Sequence, residues 1–279
     1  MLAKTSDILS RASDGGYAVG AFNVYNMEGA LAVAEASEST SMPAIIQLHP
    51  GSLNRGGEAL ISLCIAAAET TSTPMSVHLD HCDDESYISR ALKMGMNSVM
   101  VDGSRLDYLS NVNFTKEITR QIHSVGGLSE AELGRLSGTE DGLTVPEYEE
   151  KLTDPVQAKE FVDITEVDSL AVCIGNVHGK YIGEPNLDFE RLKLINENLD
   201  VPLVIHGGSG LPEWMVEKCV DLGVRKFNVN TEIRVAYIER IMELTAHPET
   251  ELTVLISDSI NAMRDVISKK IKQFGGLTS

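Results

Sequence analysis

Three histidines, His81, His178 and His206, each stand where a short apolar run gives way to a polar turn. Three imidazoles with a fourth position left open suit a catalytic Zn²⁺ acting as a Lewis acid on a substrate oxygen. Asp80 directly precedes His81. A carboxylate there can act as general acid or base where it meets the reacting atom, or can orient an imidazole from behind. Asp102 and Glu132 end two further runs. Gathered acids repel one another unless a cation joins them, so they mark either a second cation position or a supporting role around the first. His78, His123 and His247 read as structural imidazoles. His78 shares the alternation of Asp80 and is expected to hydrogen-bond inside the fold.

Glycine supplies the next signal. His206-Gly-Gly-Ser-Gly210 and Asn228-Val-Asn-Thr231 each follow an apolar run. Glycine lets backbone N–H groups approach an anion, and Ser and Thr hydroxyls add donors. The segment Gly134–Gly142 mixes glycines with acids. It reads as a mobile lid able to carry a catalytic carboxylate, Glu140 or Asp141.

The elements that hold these residues alternate. Apolar, β-rich runs fall at Tyr17–Asn23, Ala44–Leu48, Met75–Asp80, Ser98–Asp102, Leu128–Leu133, Ser169–Ile174, Pro202–His206 and Lys226–Val229. Helical periodicity fills the gaps, at 26–38, 57–70, 84–94, 109–123, 154–165, 188–196, 212–222 and 231–244. Asn26, Asp84 and Asp188 are candidate N-caps. Eight strands alternating with helices predict parallel βα units, and the length suits a single (β/α)8 barrel of about 250 residues. A doubly wound open sheet is the alternative. The whole chain, 1–279, reads as one domain, with an extra N-terminal helix (2–12) across the barrel bottom and a terminal helix (257–274). In such a barrel chemistry sits at the strand ends, where the polar residues above all fall, and phosphate sites recur after strands seven and eight.

Composition narrows the classes. The 279 residues are 43% hydrophobic, with 23 Lys and Arg against 41 Asp and Glu, a net charge of −18. That balance excludes a nucleic-acid or anionic-membrane binder. Four dispersed cysteines without a CxxC pair predict buried, reduced thiols. No secretory h-region or membrane span is visible, so a soluble, cytoplasmic protein is expected.

Seven segments in order resemble the class II, metal-dependent ketose-bisphosphate aldolases. They are Ala21-Phe-Asn23, His78-Leu-Asp-His81, Met100-Val-Asp-Gly-Ser104, Glu130-Ala-Glu-Leu-Gly134, Gly175-Asn-Val-His-Gly179, His206-Gly-Gly-Ser-Gly210 and Asn228-Val-Asn-Thr231. The resemblance spans about residues 17 to 232. It implies a (β/α)8 barrel and reversible aldol cleavage of a ketose phosphate to dihydroxyacetone phosphate and an aldehyde, without a lysine Schiff base. By resemblance, His81, His178 and His206 are zinc ligands and Asp80 exchanges the proton of the C4 hydroxyl. Glu140 is the lid carboxylate that moves a proton at carbon. Asp102 and Glu132 match the acidic pair of an alternative cation position. Gly179, Gly207, Ser209, Asn228, Asn230 and Thr231 match the phosphate site, with Na⁺ or K⁺ beside it, and Asn23 a substrate contact. A homodimer or homotetramer is implied.

The sequence departs from the family at His49, where a small hydroxyl residue is common, at Asn230, and at Thr139-Glu140, where a Glu pair is common. Arg234, Arg264 and Lys269 are candidates for a far phosphate. Fructose 1,6-bisphosphate and tagatose 1,6-bisphosphate lead as substrates. Another ketose phosphate, a metal-dependent hydrolase on the same barrel, and a non-catalytic scaffold are the competing readings.

Overall fold

A computed structural model describes residues 1–140, 143–181, 183–247 and 249–277, with the side chains of 140, 143 and 148 outside the description. The eight expected strands are present as β1 (Val19–Asn23), β2 (Ala44–Leu48), β3 (Met75–Cys82), β4 (Ser98–Val101), β5 (Leu128–Leu133), β8 (Ser169–Val172), β9 (Leu203–Ile205) and β10 (Val224–Val229). They close into a barrel in the order β1-β10-β9-β8-β5-β4-β3-β2, with every pairing parallel. The open-sheet alternative is thereby excluded. Strands β6 (Gly138–Glu140) and β7 (Leu143–Val145) form a separate antiparallel pair inserted after β5.

The helices are α1 (Thr5–Gly15), α2 (Met27–Thr40), α3 (Pro50–Glu69), α4 (Glu85–Lys93), α5 (Tyr108–Ser124), α6 (Pro155–Thr165), α7 (Phe189–Asn198), α8 (Glu213–Asp221), α9 (Thr231–Thr245) and α10 (Leu252–Phe274). Asn26, Asp84 and Asp188 cap as expected, accepting from the N–H groups of Gly29, Ser86 and Arg191 at 2.9, 2.7 and 2.9 Å. Each such cap is worth about 1 kcal/mol. Helix α3 starts earlier than its apolar periodicity, at Pro50, because His49 caps it. Its first turns precede a break at Gly57, whose φ of 52° and ψ of −149° lie outside the helical region.

The main core lies between the strands and the outer helices, with Phe22, Phe161, Phe227 and Phe274 fully buried. Phe227 and Phe274 stack with centroids 4.6 Å apart and dock α10 against the barrel. Helix α1 contributes Ile8 and Ala12 to a smaller cluster with Val19, Ala21 and Ile45, at the N-terminal ends of the strands. All four cysteines are buried free thiols, and burial pushes each up to about 12. No described helix is long and apolar enough to cross a membrane.

Candidate active site

At the C-terminal mouth of the barrel, four side chains converge. His81, Glu132, His178 and His206 each offer a donor atom, and these atoms lie within 4.8 Å of one another. The His81 ring centroid lies 5.2 Å from that of His178 and 4.6 Å from that of His206. Four chain segments remote in sequence supply them, so the barrel alone brings them together.

Strict alternation would turn His81 away from the mouth if Asp80 faces it. The backbone resolves the conflict. His81 has φ +43°, in the left-handed region that non-glycine residues rarely enter. The β3–β4 register shifts between Leu79 and Cys82, which marks an irregularity at this point. Strain of this kind, of order 1–3 kcal/mol, persists where the surroundings over-determine a functional geometry.

Two of the three rings, His81 and His206, are oriented from behind. Asp102 Oδ2 accepts from His81 Nδ1 at 2.7 Å, which leaves His81 Nε2 facing the cluster, buried and without a hydrogen-bond partner. Burial disfavours charge on Asp102, yet hydrogen bonds from His81 and Ser104 hold it well below the usual carboxylate range. His206 Nε2 donates to Glu130 at 3.2 Å, and its Nδ1 lies 3.4 Å from Glu132 Oε2. Burial works against charging His206, but the contacts with Glu130 and Glu132 outweigh it and raise its pKa. Buried nitrogen and carboxylate donors gathered at one point, with His81 and His206 each carrying an outer hydrogen bond, fit a divalent cation with nitrogen preference.

Beside this centre, Asp80 is buried and accepts from Asn23 Nδ2 at 2.8 Å and from Asn228 Nδ2 at 3.2 Å. Gln47 in turn donates to Asn23 at 3.1 Å. The turns after β8, β9 and β10 carry Gly179, Ser209 and Thr231 into one cavity, with Lys180, Lys269 and Lys270. Gly207 is obligatory, with φ 68° and a site where a Cβ would meet Val177 O at 2.0 Å.

The sequence model of the family described as fructose-bisphosphate aldolase class-II matches residues 3–277. The chain belongs to the class II fructose-bisphosphate aldolase family. It is thus a lyase of a metal-dependent family. The YdjI aldolase from Escherichia coli K12 is 34% identical, covering 99% of this chain and 98% of its own, with a TM-score of 0.88. A protein from Coccidioides immitis is also 34% identical, covering 98% of each chain, with a TM-score of 0.91. The fructose-bisphosphate aldolase of Campylobacter jejuni, 20% identical, shares the fold, with a TM-score of 0.79 over 98% of this chain and 95% of its own.

Within this aldolase fold the other expected site residues take definite places. Asp102 is not among the four converging donors, since it faces His81 and Ser104. Asn23 contacts Asp80. Asn230 precedes α9 and its Oδ1 accepts from Tyr25 at 2.8 Å. The Glu140 side chain and Asp141 lie outside the described residues. The lid segment carries the β6–β7 hairpin, with Thr139 and Thr144 hydroxyls 3.0 Å apart across the pair. It is stitched to the His178 turn, where His178 N–H donates to Ser137 O at 2.9 Å and Thr139 N–H to His178 O at 3.3 Å. A Cβ at Gly138 would meet His178 O at 2.1 Å, so only glycine permits this approach.

Two aldolase residues escaped the sequence reading of single roles. Glu130 and Lys226 are fully buried and paired at 2.9 and 3.0 Å inside the barrel. His78 completes the group, its Nδ1 sharing a 2.7 Å hydrogen bond with Ser98. Their signal was alternation: Glu130 shares parity with Glu132, and Lys226 with Asn228. Arg135 was also missed. Its Nε and Nη2 donate to Ser104 O at 3.2 and 3.0 Å, which fixes the turn that carries Asp102.

Proposed function

We propose that the protein is a zinc-dependent aldolase that reversibly cleaves a ketose phosphate to dihydroxyacetone phosphate and an aldehyde. The observation that carries this reading is the convergence of His81, His178 and His206 beside a buried Asp80. Glu132 joins that cluster and Asp102 backs His81, and these two acids are the proposed alternative cation position. Zinc, when bound to the three histidines, supplies Lewis acidity to the ketose oxygens and offsets the negative charge left on the triose half.

The remaining work belongs to the chain. Asp80 accepts the proton of the C4 hydroxyl as the C3–C4 bond breaks, held in place by Asn23 and Asn228. Glu140 is proposed to return a proton to the triose carbon. Gly179, Gly207, Ser209, Asn228, Asn230 and Thr231 seat the phosphate, with a monovalent cation beside them. Anchoring that remote group orients the reacting carbons and reduces the entropy lost on reaching the transition state. A hydrolase would also use a metal, but a glycine cradle across the mouth from Asp80 serves a phosphate that is retained. Fructose and tagatose 1,6-bisphosphates are the leading substrates, and a cytoplasmic homo-oligomer the proposed form.

The test is triose-phosphate release from ketose mono- and bisphosphates, with and without a chelator. Chelator-sensitive release is expected. Inorganic phosphate as the product would replace the aldolase with a hydrolase. Chelator-resistant release, or a substrate adduct trapped by borohydride, would overturn the metal mechanism.

A further inference from the structure

Helix α10 turns Ile260, Met263, Ile267, Ile271 and Phe274 to the interior, and the same buried face carries Lys270. Lysine is almost never buried without a partner, because taking an ammonium out of water is costly. The Lys270 side chain is 8% exposed, and its Nζ lies 3.1 Å from Oε2 of Glu232, in the first turn of α9. The other oxygen of that carboxylate, Oε1, accepts from Gly210 N–H at 2.6 Å. Glu232 N–H in turn donates to Ser209 Oγ at 3.4 Å. A chain of contacts thus runs from α10 through Glu232 into the turn after β9.

That turn belongs to the glycine cradle, and Gly179, Ser209, Thr231, Glu232 and Lys270 line one cavity there. The end of α10 reaches the cradle at two further points. Gln273 Nε2 donates to Leu211 O at 3.3 Å, and Phe274 stacks on Phe227, one residue before Asn228. The contacts of Glu232 set the shape of the seat. Gly210, at φ 82°, keeps its N–H turned to the carboxylate, and Ser209 Oγ, accepting from Glu232 N–H, retains its own proton for a ligand. Lys270 sets its charge. A bare carboxylate in this cavity would repel a phosphate, and the adjacent ammonium offsets that charge.

We propose that Lys270, acting through Glu232, is a positioning residue for the phosphate site, so that the C-terminal end of α10 takes part in substrate binding. This rests on the aldolase reading, which supplies the phosphate. The ion pair fixes the turn without leaving a net charge on it, and the incoming dianion meets hydrogen-bond donors alone.

The test is exchange of the carbon-bound protons of dihydroxyacetone phosphate with deuterated water by the metal-loaded protein, read as KM and kcat at fixed ionic strength. Lys270→Met keeps an apolar stem and leaves the carboxylate bare. Its KM should rise by roughly 10-fold, with the change in KM rather than in kcat. Glu232→Gln keeps an oxygen for Gly210 N–H and removes the negative charge, so KM should not rise. The double variant, Lys270→Met with Glu232→Gln, again carries no net charge and should return KM to within about 3-fold of the wild type. The Glu232 side chain is 32% exposed, so Glu232→Gln can be read whatever Lys270→Met does to folding. A raised KM in Glu232→Gln, or a double variant as poor as Lys270→Met, makes the pair a structural clip and overturns the proposal. Wild-type exchange with KM unmoved in Lys270→Met removes only the positioning role, whereas no exchange by the wild type removes the aldolase reading and that role with it.

Discussion

His206 turns Nε2 inward to Glu130, at 3.2 Å, while Nδ1 faces the converging donors at the barrel mouth. The inner bond therefore sets the tautomer that leaves Nδ1 free of a proton for a cation. Glu130 is itself held by Lys226, 2.9 Å away. Burial opposes ionisation of Glu130, but the Lys226 charge outweighs it and keeps the carboxyl well below its usual range. A buried ion pair thus stands behind one ligand of the proposed metal.

That arrangement predicts a coupled stability effect. Lys226→Met leaves a buried carboxylate without its partner and should cost about 3–5 kcal/mol. The double variant Lys226→Met, Glu130→Gln should recover much of that loss in urea titrations. Equal losses in single and double variants would show that the pair is not coupled. Glu130→Gln alone should weaken metal affinity by roughly 10–100-fold, read by competition with a chelator.

Asp80→Ala removes the proposed proton acceptor but none of the converging donors. Turnover should fall by roughly 10²–10⁴-fold, with metal content by mass spectrometry unchanged. Loss of metal together with activity would assign Asp80 to metal binding instead.

His178→Ala removes a donor from the centre. The purified variant should lose its metal on dialysis under conditions where the wild type keeps it. A variant with wild-type metal content would take His178 out of the proposed ligand set.

The interior also predicts a pH dependence. Burial first, and the Lys226 charge second, push His78 from 6.5 down to about 3. The ring stays neutral in the fold but protonates in the unfolded chain below about pH 6.5. The unfolded state then binds more protons, so stability falls as pH drops through the window from 6.5 toward 3. The slope from this one group is about 1.4 kcal/mol per pH unit. Urea denaturation of the metal-free protein from pH 7 to 4 should show a shallower fall for His78→Gln than for the wild type. Identical slopes would assign the acid sensitivity to other groups.

Much of the site was legible because strand alternation and strand ends are local properties. His81, His178, His206, Asp80 and Glu132 could be named from where apolar runs stop. Glu130 and Lys226 belong to the same inward parity but stand 96 positions apart, and no local pattern reports their pairing. Arg135 was illegible for another reason: that its guanidinium serves the fold depends on Ser104 O and Glu149, brought near only by closure.

The sequence by itself determined the order of eight strands and their helices, the caps at Asn26, Asp84 and Asp188, and the polar rim. Hydrophobic period, capping groups and glycine positions act over a few residues, so the chain carries them wherever it goes. Only the tertiary structure decided that the sheet closes, which sets β8, β9 and β10 across the barrel from β2, β3 and β4. It also decided that Asp80 and His81 both serve the mouth. Alternation alone would separate them, and the left-handed backbone at His81 with the shifted β3–β4 register exists only when the neighbouring strand is paired.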